Sequence, residues 1–257
     1  MRPRDRLLSP LSVRPVFFTW RGLTVHSYPA MQYIGLTFGV IAGNFAARSA
    51  GLDPFRVYIA TILLLFPALA GARVLYIVSH WDLFRDNRRD IWNTRQGGAA
   101  QYGGILAAVP LSIPLLALLG IPFGAFWDAG GITIMVGMVF TRVGCFMNGC
   151  CAGRPSSSWL ALSLPNVRGV WIRRFPTQLL EAAWAATLLV TGVALWPRLP
   201  FDGALFLFIA SGYALGRLVM ESMRELKTAS RRFTIHHAIS VLIIVSSIVA
   251  ITARGTH

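Results

Sequence analysis

Long apolar segments recur along almost the whole chain and are separated by short polar stretches. Each segment is about 20 residues long, which is the length an α-helix needs to cross the hydrocarbon core of a bilayer. The third and fourth segments are hard to separate, because residues 96–127 include no charged side chain. The pattern predicts seven spans, at residues 29–48, 56–79, 103–121, 128–148, 176–197, 203–222 and 233–253.

The composition agrees with a polytopic membrane protein of the all-α class. Of the 257 residues, 55% are hydrophobic and 13% are charged, which excludes an ordinary soluble domain. The composition does not change along the chain, so we expect one seven-helix membrane domain over residues 29–257. Residues 1–28 are basic and lack the uninterrupted apolar core and cleavage site of a signal peptide. We expect them to remain as an interfacial lead-in.

Arginine supplies almost all of the positive charge. The formal net charge is +14, and Lys227 is the single lysine among the 24 basic residues. Because the arginines occupy short loops between apolar segments, we expect membrane lipid as the anionic partner and no nucleic acid. The planar guanidinium can also bind a phosphate through two parallel hydrogen bonds, which an ammonium cannot do.

Three arginines interrupt or border apolar segments and so lie at membrane depth. They are Arg73, Arg142 and Arg217. A cation at the edge of hydrocarbon usually faces a bundle interior, a watery cavity or an anionic partner. The three together therefore predict a site for a phosphate-bearing lipid. The alternative is that each side chain only extends to the headgroups from the end of a span.

The chain has three cysteines, all within seven residues, at Cys145, Cys150 and Cys151. Free cysteine packs well between helices, and this interpretation is favoured. A disulfide from Cys145 to one of the other two, or a candidate reactive thiol, comes next. A metal site ranks lowest, because it would need a fourth ligand for which only His236 or His237 can be guessed. No metal or other cofactor is predicted.

Five motifs and one tyrosine occur in a specific order. The tyrosine is Tyr28, and the motifs are GARVLY at 71–76, QGGAAQYGG at 96–104, RVGCFMNGC at 142–150, RFPTQLLE at 174–181 and GYALGRLVMESMR at 212–224. From about residue 23 to its end, the chain resembles the bacterial phosphatidylglycerol–prolipoprotein diacylglyceryl transferases. The resemblance implies a multi-pass protein of the bacterial inner membrane.

The resemblance also implies an activity. The family transfers a diacylglyceryl group from phosphatidylglycerol to a cysteine thiol of a lipoprotein-precursor peptide, without a cofactor. Arg142 and Arg217 would stabilise the leaving glycerol phosphate, and Tyr102 would act beside them. Substrate-binding positions carried over from the motifs are Arg73, Tyr28, Gly103, Gly104, Asn148, Gln178, Tyr213 and Glu221. The spacing of Glu221 from Arg217 predicts an i, i+4 ion pair, so Glu221 would support the guanidinium.

Three positions depart from the family pattern and indicate a divergent member. Tyr102 stands where the family has a functionally important histidine, and Cys145 and Cys150 replace an asparagine and a glutamate. We expect Tyr102 to position the lipid rather than act as a base, since an ordinary phenol has a pKa of about 10. Two alternatives stay open: a paralogue that uses the cysteines for another lipid or acyl transfer, and a non-catalytic phospholipid-binding protein.

The orientation in the membrane is indicated differently by charge and by resemblance. Basic residues crowd the segments before the first span and between the second and third, fourth and fifth, and sixth and seventh spans. The positive-inside rule would place these segments in the cytoplasm. The resemblance implies instead that they face the periplasm and that the carboxyl terminus is cytoplasmic. We adopt the second orientation, because arginines that bind substrate do not report topology.

Overall fold

The computed structural model describes residues 13–85, 91, 100–165, 170–223 and 235–255. Within these residues the chain forms seven long helices, one single-turn helix and two antiparallel hairpins. The helices are α1 Ser27–Ser49, α2 Pro54–Ser79, the single turn α3 Trp81–Phe84, α4 Gln101–Leu119, α5 Phe123–Asn148, α6 Thr177–Leu195, α7 Ala204–Glu221 and α8 Ile235–Gly255. The strands are β1 Val16–Trp20, β2 Leu23–His26, β3 Leu162–Pro165 and β4 Trp171–Arg174.

The seven predicted apolar segments coincide with the seven long helices. The largest difference is at α5, which begins at Phe123 rather than at residue 128. Five helical segments of the described chain are long and apolar enough to cross a membrane: α2, α4, α5, α7, and α6 with its 3-10 extension to Arg198. A shorter apolar stretch, His237–Ala253, lies within α8. The protein is therefore an all-α, multi-pass membrane protein, and the count of seven spans stays a prediction.

Local sequence explains where several helices begin and end. Asp53 precedes α2 and its carboxylate accepts hydrogen bonds from the backbone N–H groups of Phe55 and Arg56. Pro54 occupies the first helical position, where its lack of a backbone N–H group leaves no donor without a partner. At the other ends, Gly120 and Gly149 adopt left-handed backbone angles, with φ of 64° and 72°, and terminate α4 and α5.

Small residues allow pairs of helices to approach closely. A Cβ atom built on Gly103 would lie 2.2 Å from the carbonyl oxygen of Gly71, so α4 and α2 touch backbone to backbone. A Cβ atom on Gly39 would lie 2.6 Å from the carbonyl oxygen of Thr133, so α1 and α5 also approach closely. Such contacts are a common basis of helix association in membranes, where apolar burial alone gives no preference for a helix over lipid.

The β1–β2 hairpin occupies the described part of the predicted lead-in. It ends where α1 begins, and the Ser27 hydroxyl donates to the carbonyl oxygen of Arg14. Phe17, Phe18 and Trp20 on this hairpin are exposed. Aromatic side chains concentrate at membrane–water interfaces, which is consistent with an interfacial segment. The interfacial location stays a prediction, and residues 1–12 lie outside the described chain.

Contacts between loops divide the helix ends into two groups. A cavity of about 290 Å³ joins the turn at residues 50–53 with residues 120–122 and Asp202, at what we call the turn end. At the opposite end, which we call the loop end, backbone N–H groups of Gly153 and Arg154 donate to the carbonyl oxygens of Phe175 and Met223. Each long helix that starts at one end finishes at the other, so the starts of α1, α4, α6 and α8 lie at the loop end.

Candidate functional site

Four charged side chains from three helices meet at the loop end. One carboxylate oxygen of Glu181 lies 2.6 Å from Arg142 Nε, and the other lies 3.4 Å from Arg217 Nη1. Arg217 Nη2 lies 3.1 Å from Glu221 Oε2. The side chain of Glu181 is 3% exposed, and those of Arg142 and Arg217 are 13% and 11% exposed. We call these four residues the charge cluster.

The charge cluster is formally neutral, because two guanidinium groups face two carboxylates. This balance explains how two arginines can be buried near hydrocarbon, since an unpaired buried charge would be strongly destabilising. The pair between Arg217 and Glu221, expected from their spacing, is present. Arg142 Nε meets Glu181 as an ion pair, but among the described residues it has no acceptor in hydrogen-bond geometry. A guanidinium with an unsatisfied buried N–H is suited to receive a further acceptor.

Two tyrosines connect the charge cluster to α4 and α8. The rings of Tyr102 and Tyr213 meet edge to face, with centroids 6.2 Å apart. Tyr213 Oη donates to Gln101 Oε1 at 2.7 Å, and the Tyr213 side chain lies within electrostatic range of Arg142. The Tyr102 hydroxyl lies 2.7 Å from Ser240 Oγ. Tyr102 is therefore buried, and its hydrogen-bond partner lies 138 residues away in the sequence.

An apolar cavity of about 410 Å³ borders this tyrosine pair. It runs between α4, α5, α7 and α8, and most of its lining is hydrocarbon, for example Leu106, Val109 and Phe206. Gln101, Tyr102 and Tyr213 give it polar groups next to the charge cluster. A cavity that joins buried ionic groups to an apolar space matches the two chemical parts of a phospholipid.

Gln178 ties the start of α6 to the loop that follows α5. Its side chain is 1% exposed, and Nε2 donates to the carbonyl oxygen of Cys150 at 2.6 Å. The other amide atom, Oε1, is buried and has no hydrogen-bond partner among the described residues. Thr177 supports the same loop, because its hydroxyl donates to the carbonyl oxygen of Cys151 at 2.8 Å. Asn148, the last residue of α5, lies near the side chain of Cys150.

The three cysteines form a compact group in this loop, which we call the thiol cluster. The sulfur atoms of Cys145, Cys150 and Cys151 all lie within 4.8 Å of one another, and no disulfide joins them. Cys145 is buried, whereas Cys151 is exposed. The bond with Cys145 lowers the pKa of Cys150, but the bond with Cys151 and burial raise it more, so that pKa lies above its ordinary value. A thiol with a raised pKa is a poor nucleophile.

Tyr28, at the start of α1, lies beside both clusters. Its carbonyl oxygen faces Gly144 on α5, and its hydroxyl accepts a hydrogen bond from Gln32 Nε2 at 3.0 Å. Its side chain is within electrostatic range of Arg142 and of all three thiols. The structure thus brings Tyr28 together with the residues of the RVGCFMNGC motif.

Arg73 and the two glycines of α4 have different surroundings. Arg73 donates to the carbonyl oxygen of Ile91 from Nε and Nη2, at 3.2 and 3.0 Å, and its guanidinium lies against the rings of Tyr76 and Phe84. Gly103 and Gly104 face α2, where a Cβ atom on Gly104 would lie 3.0 Å from the carbonyl oxygen of Ala68. These glycines are placed for helix packing, and their role in binding substrate stays a prediction.

Several residues at the site were not among the predicted site residues. Glu181 is the central acid of the charge cluster, and its sequence signal was a carboxylate inside an apolar span. Gln101 and Ser240 carry no such signal, because each is an ordinary polar residue near a helix start. Arg174 is 2% exposed and donates from Nη1 to the carbonyl oxygen of Gly153 at 3.2 Å. It had been noted only as part of the RFPTQLLE motif.

Known proteins resemble this sequence over most of its length. A family model described as prolipoprotein diacylglyceryl transferase matches residues 15–253. A phosphatidylglycerol–prolipoprotein diacylglyceryl transferase of Clostridium botulinum (strain 657 / Type Ba4) is 30% identical over 244 residues, which are 92% of this chain and 96% of that protein. A protein of the same name from Clostridium kluyveri (strain NBRC 12016) is 29% identical over 216 residues, covering 82% of this chain and 84% of that protein.

Proposed function

The chain belongs to the prolipoprotein diacylglyceryl transferase family and is a transferase, and on that premise we propose its reaction and the residues that perform it. The donor is phosphatidylglycerol, and the acceptor is the thiol of a cysteine in a lipoprotein-precursor peptide. The thiol sulfur attacks the glyceryl carbon, a carbon–sulfur bond forms, and the carbon–oxygen bond to phosphate breaks. Glycerol phosphate leaves, and the thiol proton passes to solvent or to a nearby base.

The arrangement that supports this proposal is the charge cluster beside the apolar cavity. A phospholipid needs cationic donors for its phosphate and apolar space for its acyl chains. Arg142 and Arg217 supply the first, and the 410 Å³ cavity supplies part of the second. Tyr213 belongs to both, because it lines the cavity and lies within electrostatic range of Arg142. The lipid headgroup would therefore lie at the guanidinium groups with one chain directed between α4 and α7.

The charge balance explains why arginines would accelerate the step. The phosphate of the donor carries one negative charge as a diester and approaches two as the carbon–oxygen bond breaks. Donors already in place in a site of low dielectric stabilise this growing charge without reorganisation. In the absence of lipid, Glu181 and Glu221 hold the two guanidinium groups in position and compensate their charge.

Tyr102 positions the lipid rather than taking the proton of the acceptor. Its hydroxyl is engaged with Ser240, and its ring packs edge to face on Tyr213. A general base is also a modest requirement here, because a few per cent of an ordinary cysteine is already thiolate near neutral pH. A protein that has replaced the family's histidine by tyrosine can therefore keep the transfer reaction at a reduced rate.

Gln178 and Tyr28 are proposed to hold the polar parts of the substrates. The unpartnered Oε1 of Gln178 can accept a hydrogen bond from a lipid hydroxyl or a peptide N–H. Tyr28 lies within electrostatic range of Arg142 and stands at the start of α1, where an acceptor would enter from the loop end. Asn148, near the Cys150 side chain, is proposed to orient the same loop.

The protein is proposed to act in the bacterial inner membrane with its loop end facing the periplasm. This orientation places the site on the side where exported precursor peptides arrive, and the carboxyl terminus in the cytoplasm. A reporter fused after His257 should be active only inside the cytoplasm. Activity only outside would reverse the orientation.

The experiment that tests the reaction is a release assay on purified full-length protein. Phosphatidylglycerol and a precursor peptide with one cysteine are supplied, and free glycerol phosphate and lipidated peptide are measured together. The two products should appear in equal amounts. Removing one hydrogen-bond donor that stabilises a developing negative charge typically lowers the rate by about 10²–10³. Arg142→Ala should therefore reduce the rate of formation of both products by about that factor.

Arg198→Ala is the matched control, because Arg198 is exposed at the turn end, away from the charge cluster. It should leave the rate unchanged. Lipid binding without release of glycerol phosphate would contradict the transfer reaction and support a lipid-binding protein. Product covalently attached to Cys150 or Cys151 would support the alternative in which the thiol cluster transfers the group.

A further inference from the structure

The thiol cluster has no part in the proposed transfer reaction, yet its geometry is unusual. The chain has three cysteines, and the fold brings all of their sulfur atoms to within 4.8 Å of one another. We propose that Cys145, Cys150 and Cys151 form a binding site for one soft metal ion, such as Zn²⁺, held by three thiolates. Binding would form three metal–sulfur bonds and release three thiol protons to solvent.

The separation of the sulfur atoms fits such a site. Zinc–sulfur bonds are about 2.3 Å long, so sulfur atoms around one ion lie roughly 3.8–4.0 Å apart in tetrahedral or trigonal geometry. The observed sulfur separations are at most 4.8 Å, so the sulfur atoms need to move by only about 1 Å to reach this spacing. Soft thiolate ligands select zinc and heavier or monovalent soft ions over magnesium and calcium.

The loop that carries the ligands is fixed from two sides. Cys145 belongs to the last turn of α5, and Gly149 then reverses the chain with a φ of 72°. Side chains from the start of α6 hold the next two carbonyl oxygens, through Gln178 to Cys150 and Thr177 to Cys151. Such contacts around a metal site orient its ligands and commonly change metal affinity by about 10–100-fold.

Backbone conformation contributes as well. Cys151 has a φ of 65°, a left-handed conformation that residues with a side chain rarely adopt. This conformation accompanies the return of the Cys151 sulfur atom toward Cys145, even though the residue itself is exposed. The exposed side of the cluster gives an ion a route of entry and leaves room for a water molecule as a fourth ligand.

A bound cation would also compensate the charge that the thiolates acquire. Three neighbouring thiolates would repel one another, and the burial of Cys145 adds to that cost. A divalent ion offsets the repulsion at the point where it is greatest. The sequence ranked a metal site lowest for lack of a fourth protein ligand. Three thiolates and a water form a complete open site, so this requirement does not apply.

Titration with Cd²⁺ tests the proposal on the reduced, full-length protein in detergent. Cadmium–thiolate bonds give an ultraviolet charge-transfer band whose intensity follows the number of bound thiolates. The wild type should saturate at one ion per chain with a three-thiolate band. Protein loaded first with Zn²⁺ should show the same band only as the added Cd²⁺ displaces the zinc, and one equivalent of either ion should protect the exposed Cys151 from alkylation.

Cys151→Ser is the most informative variant, because this residue is exposed and its replacement should not affect folding. It should lose about a third of the band, and its affinity should fall more than about tenfold. The matched control is Cys151→Ser combined with Ser49→Cys, which keeps three thiols and moves one to an exposed position at the turn end. This double variant should behave like Cys151→Ser.

Three results would overturn the proposal. One is the absence of a band in the wild type, and another is a full band in the double variant. The third is a single free thiol after denaturation without reductant, which would mean that two cysteines form a disulfide. The titration uses no lipid and no peptide, so its outcome is independent of the transferase assay.

Discussion

Two buried carboxylates, one at each end of the bundle, solve the same electrostatic problem in different ways. Asp128, near the start of α5, is 2% exposed and accepts backbone hydrogen bonds from Gly203 and Phe206, at 2.8 and 2.9 Å. It therefore supplies the cap that Gly203 cannot give to the first turn of α7. Glu181, at the loop end, is 3% exposed, and its partners are the guanidinium groups of Arg142 and Arg217.

The difference separates a structural contact from one that can serve chemistry. The donors that bind Asp128 are backbone groups at a helix start, and they cannot turn to another acceptor without unwinding α7. The donors that bind Glu181 are side chains on two other helices, and a guanidinium has five N–H groups with which to receive a second anion. A buried acid paired with side-chain cations therefore lies at the end of the bundle where we propose that the lipid phosphate binds.

The largest effect on stability should come from removing the charge of Glu181. Glu181→Gln leaves Arg142 without its carboxylate partner, and breaking a buried ion pair in this way costs about 3–5 kcal/mol. The thermal unfolding midpoint in detergent should fall markedly. Added phosphatidylglycerol should raise the unfolding midpoint of Glu181→Gln more than it raises that of the wild type, because the lipid phosphate supplies the missing anion. A deficit that lipid does not relieve would contradict an anion site at the arginines.

Asp128→Asn is the matched change at the other end and should have a smaller effect. The amide keeps one acceptor oxygen, so one of two backbone N–H groups loses its partner, at a cost of about 1–3 kcal/mol. Phosphatidylglycerol should not relieve this loss, and the rate per folded molecule should stay at the wild-type value. A rate loss as large as that of Arg142→Ala would remove the distinction between the two ends.

Gly103 tests whether α4 belongs with the structural contacts or with the site. A Cβ atom at this position meets Gly71 at 2.2 Å, and overpacking of this kind costs about 1–3 kcal/mol. Gly103→Ala should lower the unfolding midpoint, and Gly104→Ala, with 3.0 Å to its nearest neighbour, should lower it less. Both proteins should keep the wild-type KM for phosphatidylglycerol at a temperature where they are folded. A raised KM in Gly103→Ala would mean that the glycine contacts the lipid.

Replacing Tyr102 should have the smallest effect on stability and rate. Tyr102→Phe removes the hydrogen bond to Ser240, which is worth about 0.5–1.5 kcal/mol, and retains the ring that packs on Tyr213. We expect kcat to fall less than tenfold, and Ser240→Ala, which breaks the same bond but keeps the phenol, to match it. A loss of about 10²–10⁴ in Tyr102→Phe alone would instead identify Tyr102 as a general base.

The sequence predicted the helices well because apolar length is a local property. The ion pair between Arg217 and Glu221 was equally accessible, since one helical turn separates them. The bridge that Glu181 makes between two helices depends on how α5, α6 and α7 pack, and no local pattern determines that. The same holds for the contact of Tyr102 with Ser240, which lies 138 residues away.

The arginines and the cysteines both show that local sequence does not determine which distant side chains meet. The sequence placed Arg73 at membrane depth with Arg142 and Arg217 and gave it a supporting, substrate-binding role. In the structure Arg73 donates to the carbonyl oxygen of Ile91 and lies against two aromatic rings. For the cysteines, spacing alone left packing, disulfide, nucleophile and metal ligand open. Their convergence depends on the turn at Gly149 and on the left-handed backbone of Cys151, which the residue type does not reveal.

The most direct measurement is the separation of kcat from KM for phosphatidylglycerol in Arg217→Ala, with lipidated peptide as the readout. If the guanidinium stabilises charge that grows on the leaving phosphate, kcat should fall by about 10²–10³ while KM changes far less. A rise in KM with an unchanged kcat would show that the arginine only binds the resting lipid. A variant with both parameters unchanged would contradict the account at its centre.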